Sequence, residues 1–370
     1  MNFFYDVIVI GGGHAGNEAS AAAANMGAKT LLITMDMTKI GQMSCNPAMG
    51  GIAKGQIVRE IDALGGYSGL VTDRSTIQFR MLNQSKGPAM WSPRAQCDRA
   101  LFSKEWRAQL EKIDNLDFWQ DTVERLILEG NTIKGVHTKM GLDFFSKTVI
   151  VTTGTFQRGL IHIGKFNTKG GRLAEPASYG ISDQIKEAGH PTARMKTGTP
   201  ARIDGRTINF SKLEEQLGEH SFHKFSYLLE RPLEVERKNC WIAYTNAKVH
   251  KILEKGFEES PLYNGTIEGI GPRYCPSIED KIVTFAEKQR HLLFLEPEGI
   301  DTVEYYINGF SSSLPWQVQY EALRAIEGLE NVKIFRPGYA IEYDYFDPTC
   351  LQPTLQSKLV DGLYLAGQVN

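Results

Sequence analysis

The 370-residue sequence contains no run of eighteen apolar residues and no surplus of charge. Its 41 lysine and arginine residues nearly balance its 43 aspartate and glutamate residues, which leaves a formal net charge of -2. The first absence argues against a membrane-spanning helix, and the second gives the whole chain no general attraction to nucleic acid or membranes. With 42% hydrophobic residues, the composition predicts a globular chain long enough for two or more domains.

Cysteine is also scarce, with five residues that form no Cys-x-x-Cys pair: Cys45, Cys97, Cys240, Cys275 and Cys350. His220 and His223 are three residues apart but have no companion ligands, so we predict no metal site. The first apolar segment begins at residue 5, which leaves no room for a signal or transit peptide. We therefore expect a cytoplasmic protein with reduced thiols.

The most informative segment is the first one. Residues 5–10 form a short apolar run typical of a buried parallel strand, and a glycine-rich turn and a small-residue helix follow it. Such a turn lets the backbone approach a pyrophosphate at a helix N-terminus. Asp36 lies twenty residues after the last glycine of the turn, where an acidic side chain can accept a hydrogen bond from a ribose hydroxyl. The pattern predicts a dinucleotide site on Gly11, Gly12, Gly13, His14, Ala15 and Gly16.

Further along the chain the strand pattern is interrupted twice. Glycine-rich turns and short helices over residues 45–91 indicate a first insertion. We predict a helix over 92–110, a strand over 115–123 that ends at Val123, and two strands that meet around residues 129–132. A charged segment over 198–280 indicates a second insertion domain. The remaining residues, 1–197 and 281–370, would then form one dinucleotide-binding domain.

Three separated segments are predicted to converge on the cofactor: the first glycine turn, the strand ending at residues 152–155 and a late strand ending at residues 365–368. This arrangement resembles flavoproteins of the glutathione-reductase type. The resemblance implies an α/β fold, namely a Rossmann-like FAD-binding domain with inserted α+β segments. It also favours FAD over NAD at the first site.

Four longer motifs narrow the resemblance: residues 41–51, 196–200, 271–281 and 337–344. In this order they resemble the MnmG (GidA) family of tRNA-modifying flavoproteins, and the resemblance covers essentially the whole sequence. It implies an enzyme that uses FAD, NADH and a methylene-tetrahydrofolate. Such an enzyme installs an aminomethyl or carboxymethylaminomethyl group on carbon 5 of the wobble uridine of tRNA.

The same resemblance implies the partners of the protein. These are tRNA, a GTPase of the MnmE type in a heterotetramer, and a second copy of the chain in a homodimer. Members of the family carry a further C-terminal helical region after the late strand. The sequence stops at Asn370, soon after that strand, so we expect a chain that lacks this region.

Cys275 has the strongest chemical context among the cysteines. It precedes residues 277–280, which read as a capping box that opens a helix, and Arg273 is two residues away. Such a position favours a thiolate, although a small buried hydrophobic side chain is an equal reading from the sequence alone. The resemblance implies that Cys275 and Cys45 are both catalytic. We assign Cys275 as the nucleophile and Cys45 to proton transfer or resolution of the adduct.

The resemblance also implies the remaining cofactor residues. Val123, Ser178 and Gln368 join the glycine turn as FAD ligands. The segment that the family uses for NAD comprises Gly271, Pro272, Arg273, Tyr274, Cys275, Pro276, Ser277, Ile278, Glu279, Asp280, Lys281, Ile282, Val283, Thr284 and Phe285. This would put the NADH or substrate side on the second insertion domain.

The sequence is also compatible with two other functions. The first is a related folate- and FAD-dependent tRNA uridine methyltransferase, which would use the same cofactor and a cysteine adduct. The second is a flavin-containing module that binds tRNA or the GTPase without catalysis. The product nucleoside distinguishes the first, and replacement of Cys275 distinguishes the second.

Overall fold

The computed structural model of the chain describes residues 3–219, 224–228, 236–269, 271 and 276–370. In chain order, its strands are β1 (Phe4–Ile10), β2 (Thr30–Thr34), β3 (Ala48–Gly50), β4 (Thr76–Leu82), β5 (Ser92–Cys97), β6 (Leu116–Gln120), β7 (Val123–Glu129), β8 (Thr132–Thr138), β9 (Asp143–Val151), β10 (Leu160–Ile163), β11 (Phe166–Lys169), β12 (Thr192–Thr199), β13 (Arg202–Asp204), β14 (Glu214–Gln216), β15 (Cys240–Tyr244), β16 (Leu292–Pro297), β17 (Glu304–Asn308), β18 (Ile334–Arg336), β19 (Tyr339–Phe346) and β20 (Leu363–Leu365). The helices are α1 (His14–Asn25), α2 (Lys54–Ala63), α3 (Ser68–Ser75), α4 (Arg99–Leu110), α5 (Ile181–Glu187), α6 (Ala247–Glu254), α7 (Ile278–Thr284) and α8 (Trp316–Arg324).

The main sheet has the order β6-β2-β1-β9-β8-β7, and β20 also pairs with β9. Strands β6, β2, β1, β9 and β20 are parallel, whereas β7, β8 and the start of β9 pair antiparallel. The chain moves outward from β1 to β2 and β6 and then returns to the other side of β1. The strand order therefore reverses between β1 and β9, and this switch point is where ligands bind in doubly wound sheets.

Hydrophobic cores cover both faces of this sheet. Alternate side chains of β1 divide between them, because Ile8 and Ile10 pack with α5 and β20 while Val9 packs with α1 and α4. The helix α1 can lie close to the sheet because its buried positions are small residues such as Gly16, Ala21 and Ala24. The predicted strand-turn-helix unit is confirmed, with the strand beginning one residue earlier than expected.

A second sheet, of order β14-β15-β16-β17-β13-β18, is built from residues 202–336. Helices α6, α7 and α8 contribute to its core, which includes Val249, Ile278 and Leu323. The expected domain boundary at residue 280 lies inside this sheet, because β16 and β17 pair with strands on the other side of that position. The separate character of this region as a domain stays a prediction.

A third sheet, of order β11-β10-β19-β12, joins two of the four motifs. Strands β12 and β19 are antiparallel neighbours, and Thr197 lies opposite Ile341 in their register. A three-stranded sheet of order β3-β5-β4 lies within residues 48–97 and thus extends past residue 91, where the first insertion was expected to end. The third sheet brings residues far apart in sequence next to each other beside the switch point.

Two local predictions were wrong. Residues 92–97 were expected to be helical, but they form β5, the central strand of the three-stranded sheet, and the helix α4 begins only at Arg99. Val123 was expected to end a strand, but it begins β7 after a turn. The two strands around residues 129–132 are confirmed as β7 and β8.

Candidate functional site

A cavity of about 480 Å³ lies at the switch point of the main sheet. The turn after β1, the ends of β2 and β9, and the turn after β20 form one part of its wall. Other parts of the wall come from the residues before β3 and from the third sheet, including Thr197 and Tyr339. The three segments that the sequence predicted to converge therefore meet around one cavity.

The glycine turn is fixed by close backbone approaches. Gly11 has φ +108°, and a Cβ atom there would lie 2.8 Å from Thr152 O. A Cβ atom at Gly16 would lie 1.8 Å from Gly11 O. Gly13, by contrast, has no atom within 4 Å of its Cβ position and precedes α1 without any side-chain cap. The backbone amides that open α1 are therefore available to an anionic group.

One end of the cavity carries the features expected near an adenosine. Asp36, at the end of β2, accepts hydrogen bonds on Oδ1 from the amide and hydroxyl of Thr38 at 2.8 and 2.6 Å. The Thr38 hydroxyl contributes most to lowering the pKa of this carboxyl group, which stays ionised near neutral pH. Val123 also lines this cavity. An ionised carboxylate can accept a hydrogen bond from a ribose hydroxyl.

The turn after β20 closes another side of the cavity. Gly367 has φ +82°, and a Cβ atom there would meet the side chain of Ala15 at 2.7 Å. Gln368 lines the cavity and donates to Tyr343 Oη at 2.8 Å. Ser178 also lines the cavity, where its amide donates to Phe156 O and its hydroxyl accepts from Gln157. These contacts hold both predicted residues at the wall.

Cys45 lies in the same cavity and is half-buried. Its Sγ is 3.0 Å from the hydroxyl of Tyr306 and 3.6 Å from Gly198 O. Its carbonyl oxygen accepts from Arg99 Nη2 at 2.7 Å and from Arg202 Nη2 at 3.0 Å. The thiol is thus held in a defined position in the cavity wall, although it occurs in a turn.

Cys275 and its neighbours Pro272, Arg273 and Tyr274 lie outside the described residues. The capping box that follows them is confirmed, since the Ser277 hydroxyl accepts from the Asp280 amide while Asp280 accepts from the Ser277 amide. Among the described residues of the segment assigned to NAD, none lines the cavity at the switch point. Their helix, α7, instead packs in the core of the second sheet. His220 and His223 also lie outside the described residues.

Three side chains of the second sheet region had no signal in the sequence. Tyr306 and Arg202 contact Cys45 only because β13 and β17 are neighbours in the fold, with Arg202 opposite Tyr306. Glu298 forms salt bridges with both arginines, at 2.5 Å from Oε1 to Arg202 Nε and at 2.6 Å from Oε2 to Arg99 Nε. Arg202 follows the motif 196–200 closely, which is the one hint that the sequence offered.

His14 is the titratable group that opens α1. Its Nε2 lies 3.1 Å from Gly41 O, and its ring packs against Phe102. Burial contributes most, followed by the positive charge of Lys54, to lowering the pKa of His14 to about 4. The imidazole is therefore neutral at pH 7, with Nε2–H able to donate to the Gly41 carbonyl.

This shift predicts a pH dependence of stability. Below pH 6.5 the unfolded His14 binds a proton, whereas the folded residue resists protonation down to about pH 4, so the free energy of unfolding falls across this window as pH falls. Because His14 keeps some exposure to the cavity, the loss should be roughly 1–3 kcal/mol. Denaturant unfolding at pH 7.5, 5.5 and 4.5 should show a smaller fall in His14→Gln than in the wild type. Parallel falls in the two proteins would show that His14 does not titrate in this way.

No helix among the described residues has the length and apolar character needed to cross a membrane. The described part of the chain also contains no group of three or more His, Cys, Asp or Glu side chains arranged to hold a metal ion. The site is thus a cavity of backbone amides, a few polar side chains and a thiol.

The fold and this cavity define a Rossmann-like α/β protein with a ligand cleft at the switch point. The family described as "Glucose inhibited division protein A" matches residues 6–370. The chain belongs to this family.

Named relatives and solved structures agree with this assignment. A relative from Phocaeicola vulgatus named "tRNA uridine 5-carboxymethylaminomethyl modification enzyme MnmG" is 62% identical over 370 residues. One of the same name from Porphyromonas gingivalis is 60% identical over 370 residues. In both cases the match covers 100% of this chain and 59% of the relative. A crystal structure of Aquifex aeolicus GidA has 53% identity and a TM-score of 0.94, and the match covers 99% of this chain and 62% of that one.

Proposed function

We propose that the cavity holds FAD and that the longer protein to which these residues correspond modifies carbon 5 of the tRNA wobble uridine. The observation that carries the proposal is that a dinucleotide-type turn and the Cys45 thiol line one cavity. The name of the relatives at about 60% identity supports the substrate and the product. The chain spans 59% of the length of those relatives, so the complete activity belongs to the longer protein.

The cavity fits FAD in its chemistry. The amides from Gly11 to Gly16 and the start of α1 would hold the pyrophosphate, and Asp36 would accept from the adenosine ribose. Val123 would contact the adenine through its backbone. Ser178 and Gln368 would bind the cofactor from the side of the late strand. When bound, FAD would supply hydride transfer, with NADH as the source of reducing equivalents.

The two cysteines would provide the covalent chemistry. Carbon 5 of uracil is a poor nucleophile until a thiolate adds to carbon 6 and moves the electron pair of the double bond into an enolate. After carbon 5 has bonded to the one-carbon unit, loss of its proton and departure of the sulfur restore the double bond. We propose Cys275 as the attacking thiolate and Cys45 as the group that moves the carbon 5 proton or resolves the adduct.

The remaining participants belong to the same proposal. A methylene-tetrahydrofolate would supply the carbon, glycine or ammonia the nitrogen, and residues 271–285 would contribute to the NADH side. An MnmE-type GTPase would act with a homodimer of the longer protein in a heterotetramer. The modification reaction would take place in the cytoplasm, where tRNA, folate and GTP are available.

The product nucleoside tests this function. The full-length protein should be expressed in a bacterial strain that lacks its own enzyme, and the tRNA nucleosides should be measured by mass spectrometry. We expect carboxymethylaminomethyl or aminomethyl uridine at the wobble position with the wild type. Cys275→Ala should leave unmodified uridine, because no thiolate can activate carbon 5.

Two results would contradict the proposal. A 5-methyluridine product would identify a folate-dependent methyltransferase instead. Full modification by Cys275→Ala would show that the reaction does not need this thiol, and it would favour a binding module that supports another enzyme. Tyr364→Phe is a matched control, because its hydroxyl contacts Gln356 and the residue does not line the cavity; it should modify tRNA like the wild type.

A further inference from the structure

Tyr306 is a buried polar side chain that the proposed chemistry leaves without a role. It belongs to β17 of the second sheet and is only 5% exposed. Its hydroxyl nevertheless reaches the Cys45 sulfur at 3.0 Å, across the boundary between the second sheet and the cavity of the main sheet. A buried phenol hydroxyl needs a hydrogen-bond partner, and Cys45 supplies one here.

The direction of this hydrogen bond follows from the chemistry of the two groups. Burial contributes most to raising the pKa of Tyr306 well above 10, and the charge of Cys45 adds to it. The phenol therefore keeps its proton at neutral pH and can donate to sulfur. A thiolate can only accept, so this contact favours the deprotonated form of Cys45.

The surroundings of Tyr306 strengthen the contact. The guanidinium carbon of Arg202 lies 4.4 Å from the centre of the phenol ring. Arg202 is itself fixed by hydrogen bonds to Glu298, Thr199 Oγ1 and the Pro200 carbonyl, at 2.5, 3.0 and 2.7 Å. Its Nη2 also binds the Cys45 carbonyl. One guanidinium thus orients the phenol and the backbone of the cysteine together.

Other groups also act on the Cys45 sulfur. The Gly198 carbonyl, at 3.6 Å, can accept only from the protonated thiol, but such S–H contacts are weaker than a charge-assisted hydrogen bond. Lys54 and Arg202 add positive charge that favours the thiolate. The phenol of Tyr339 also interacts electrostatically with Cys45. Tyr306 is a side-chain donor at hydrogen-bond distance from this sulfur.

We propose that Tyr306 is a positioning residue that donates a hydrogen bond to the Cys45 thiolate and thereby sets its reactivity. The second sheet would then contribute directly to the state of a thiol in the cavity of the main sheet. The consequence for tRNA modification rests on the proposed function, whereas the effect on the thiol does not depend on it.

Tyr306→Phe removes the hydroxyl and keeps the ring under Arg202. The rate of Cys45 alkylation by iodoacetamide should be measured from pH 5.5 to 10 on the purified protein, with the labelled peptide quantified by mass spectrometry. We expect the midpoint of the rate profile to rise by about one pH unit, and the rate at pH 7 to fall about five- to tenfold. An unchanged profile, or faster alkylation at pH 7, would overturn the proposal.

Tyr305→Phe is the matched control. Tyr305 is the neighbouring residue on β17 and is equally buried, but it packs with Phe210 and lies opposite Ile203 rather than Arg202. Its substitution should leave Cys45 alkylation unchanged. Burial raises the pKa of both Cys97 and Cys240 to about 12, so these thiols should stay unlabelled in every variant that keeps its fold.

Alkylation requires no tRNA, folate, NADH or GTPase. A failure of the Tyr306→Phe result would therefore reject the thiolate contact and leave the proposed function standing. A failure of the nucleoside assay would reject the proposed function and leave the contact standing. In a modification assay on the purified full-length protein, Tyr306→Phe should reduce the rate with flavin still bound, and an upward shift of the pH optimum would separate an effect on Cys45 from simple unfolding.

Discussion

Replacement of Gly16 by alanine is expected to destroy the dinucleotide turn. The added Cβ atom would lie 1.8 Å from the Gly11 carbonyl oxygen and 2.6 Å from Thr152 Oγ1. The first of these is a backbone atom in a turn held by β1 and β9, so the start of α1 must move away from the sheet. We expect a loss of about 3–5 kcal/mol in the free energy of unfolding and a fall of roughly 4–6 °C in the melting temperature. Flavin affinity should fall at least about a hundredfold, because the amides would no longer converge on the pyrophosphate.

The neighbouring Gly13 provides a sharp control for this substitution. Its Cβ position has no atom within 4 Å, and its φ of -78° is open to any residue. Gly13→Ala should therefore keep the melting temperature of the flavin-free protein within about 2 °C of the wild type. Calorimetry measures the change in stability, and flavin titration measures the change in flavin affinity. A Gly16→Ala protein with unchanged stability and affinity would contradict the geometry described for this turn.

Replacement of Cys45 by alanine is expected to abolish tRNA modification while leaving the fold intact. The sulfur lines the cavity, and the contacts that hold its backbone come from Arg99 and Arg202 to the carbonyl oxygen, which alanine retains. If Cys45 carries a covalent or proton-transfer step, the modification rate of the full-length protein should fall on the order of a thousandfold or more. Flavin absorbance should remain, because the change removes one atom from the wall.

Cys350→Ala is the control for this experiment. Cys350 belongs to a turn in which its amide donates to Asp347 O, and it does not line the cavity. Its replacement should leave modification unchanged. Initial rates on unmodified tRNA, with bound flavin quantified in each preparation, separate the two variants. A Cys45→Ala protein with full flavin content and a rate within about threefold of the wild type would show that the thiol has no chemical role.

The first β-α-β unit could be predicted because its signals are local. An apolar strand, glycines at turn positions and small residues on the buried face of a helix are all read within about 25 residues of sequence. The capping box at Ser277 and the strands around residue 130 were predictable for the same reason. Each depends on hydrogen bonds between residues close in the chain.

Residues 92–97 could not be assigned in this way. Strand β5 is defined by its partners β3 and β4, and alternation along it is hidden because most of its residues are buried between neighbours. Similarly, the second sheet passes through residue 280 because strands far apart in sequence pair with each other. Pairing between strands far apart in sequence determines both strand β5 and the extent of the second sheet. A single sequence gives little information about such pairing.

The candidate site was predictable only in part. Cofactor residues on turns after strands were found, since parallel strands bring their carboxyl ends to one edge of the sheet. The environment of Cys45 could not be predicted, because Tyr306 and Arg202 reach this residue from a sheet that begins more than 150 positions later in the chain. Contacts of this kind depend on how two sheets pack together.

A crystal structure of the full-length protein with bound FAD would test the central claim most directly. We expect the pyrophosphate against Gly11–Gly16, the adenine beside Val123, and the isoalloxazine edge within about 4 Å of the walls that carry Cys45 and Gln368. A dinucleotide in the reverse orientation, with its adenine next to Cys45, or one bound outside this cavity, would contradict it.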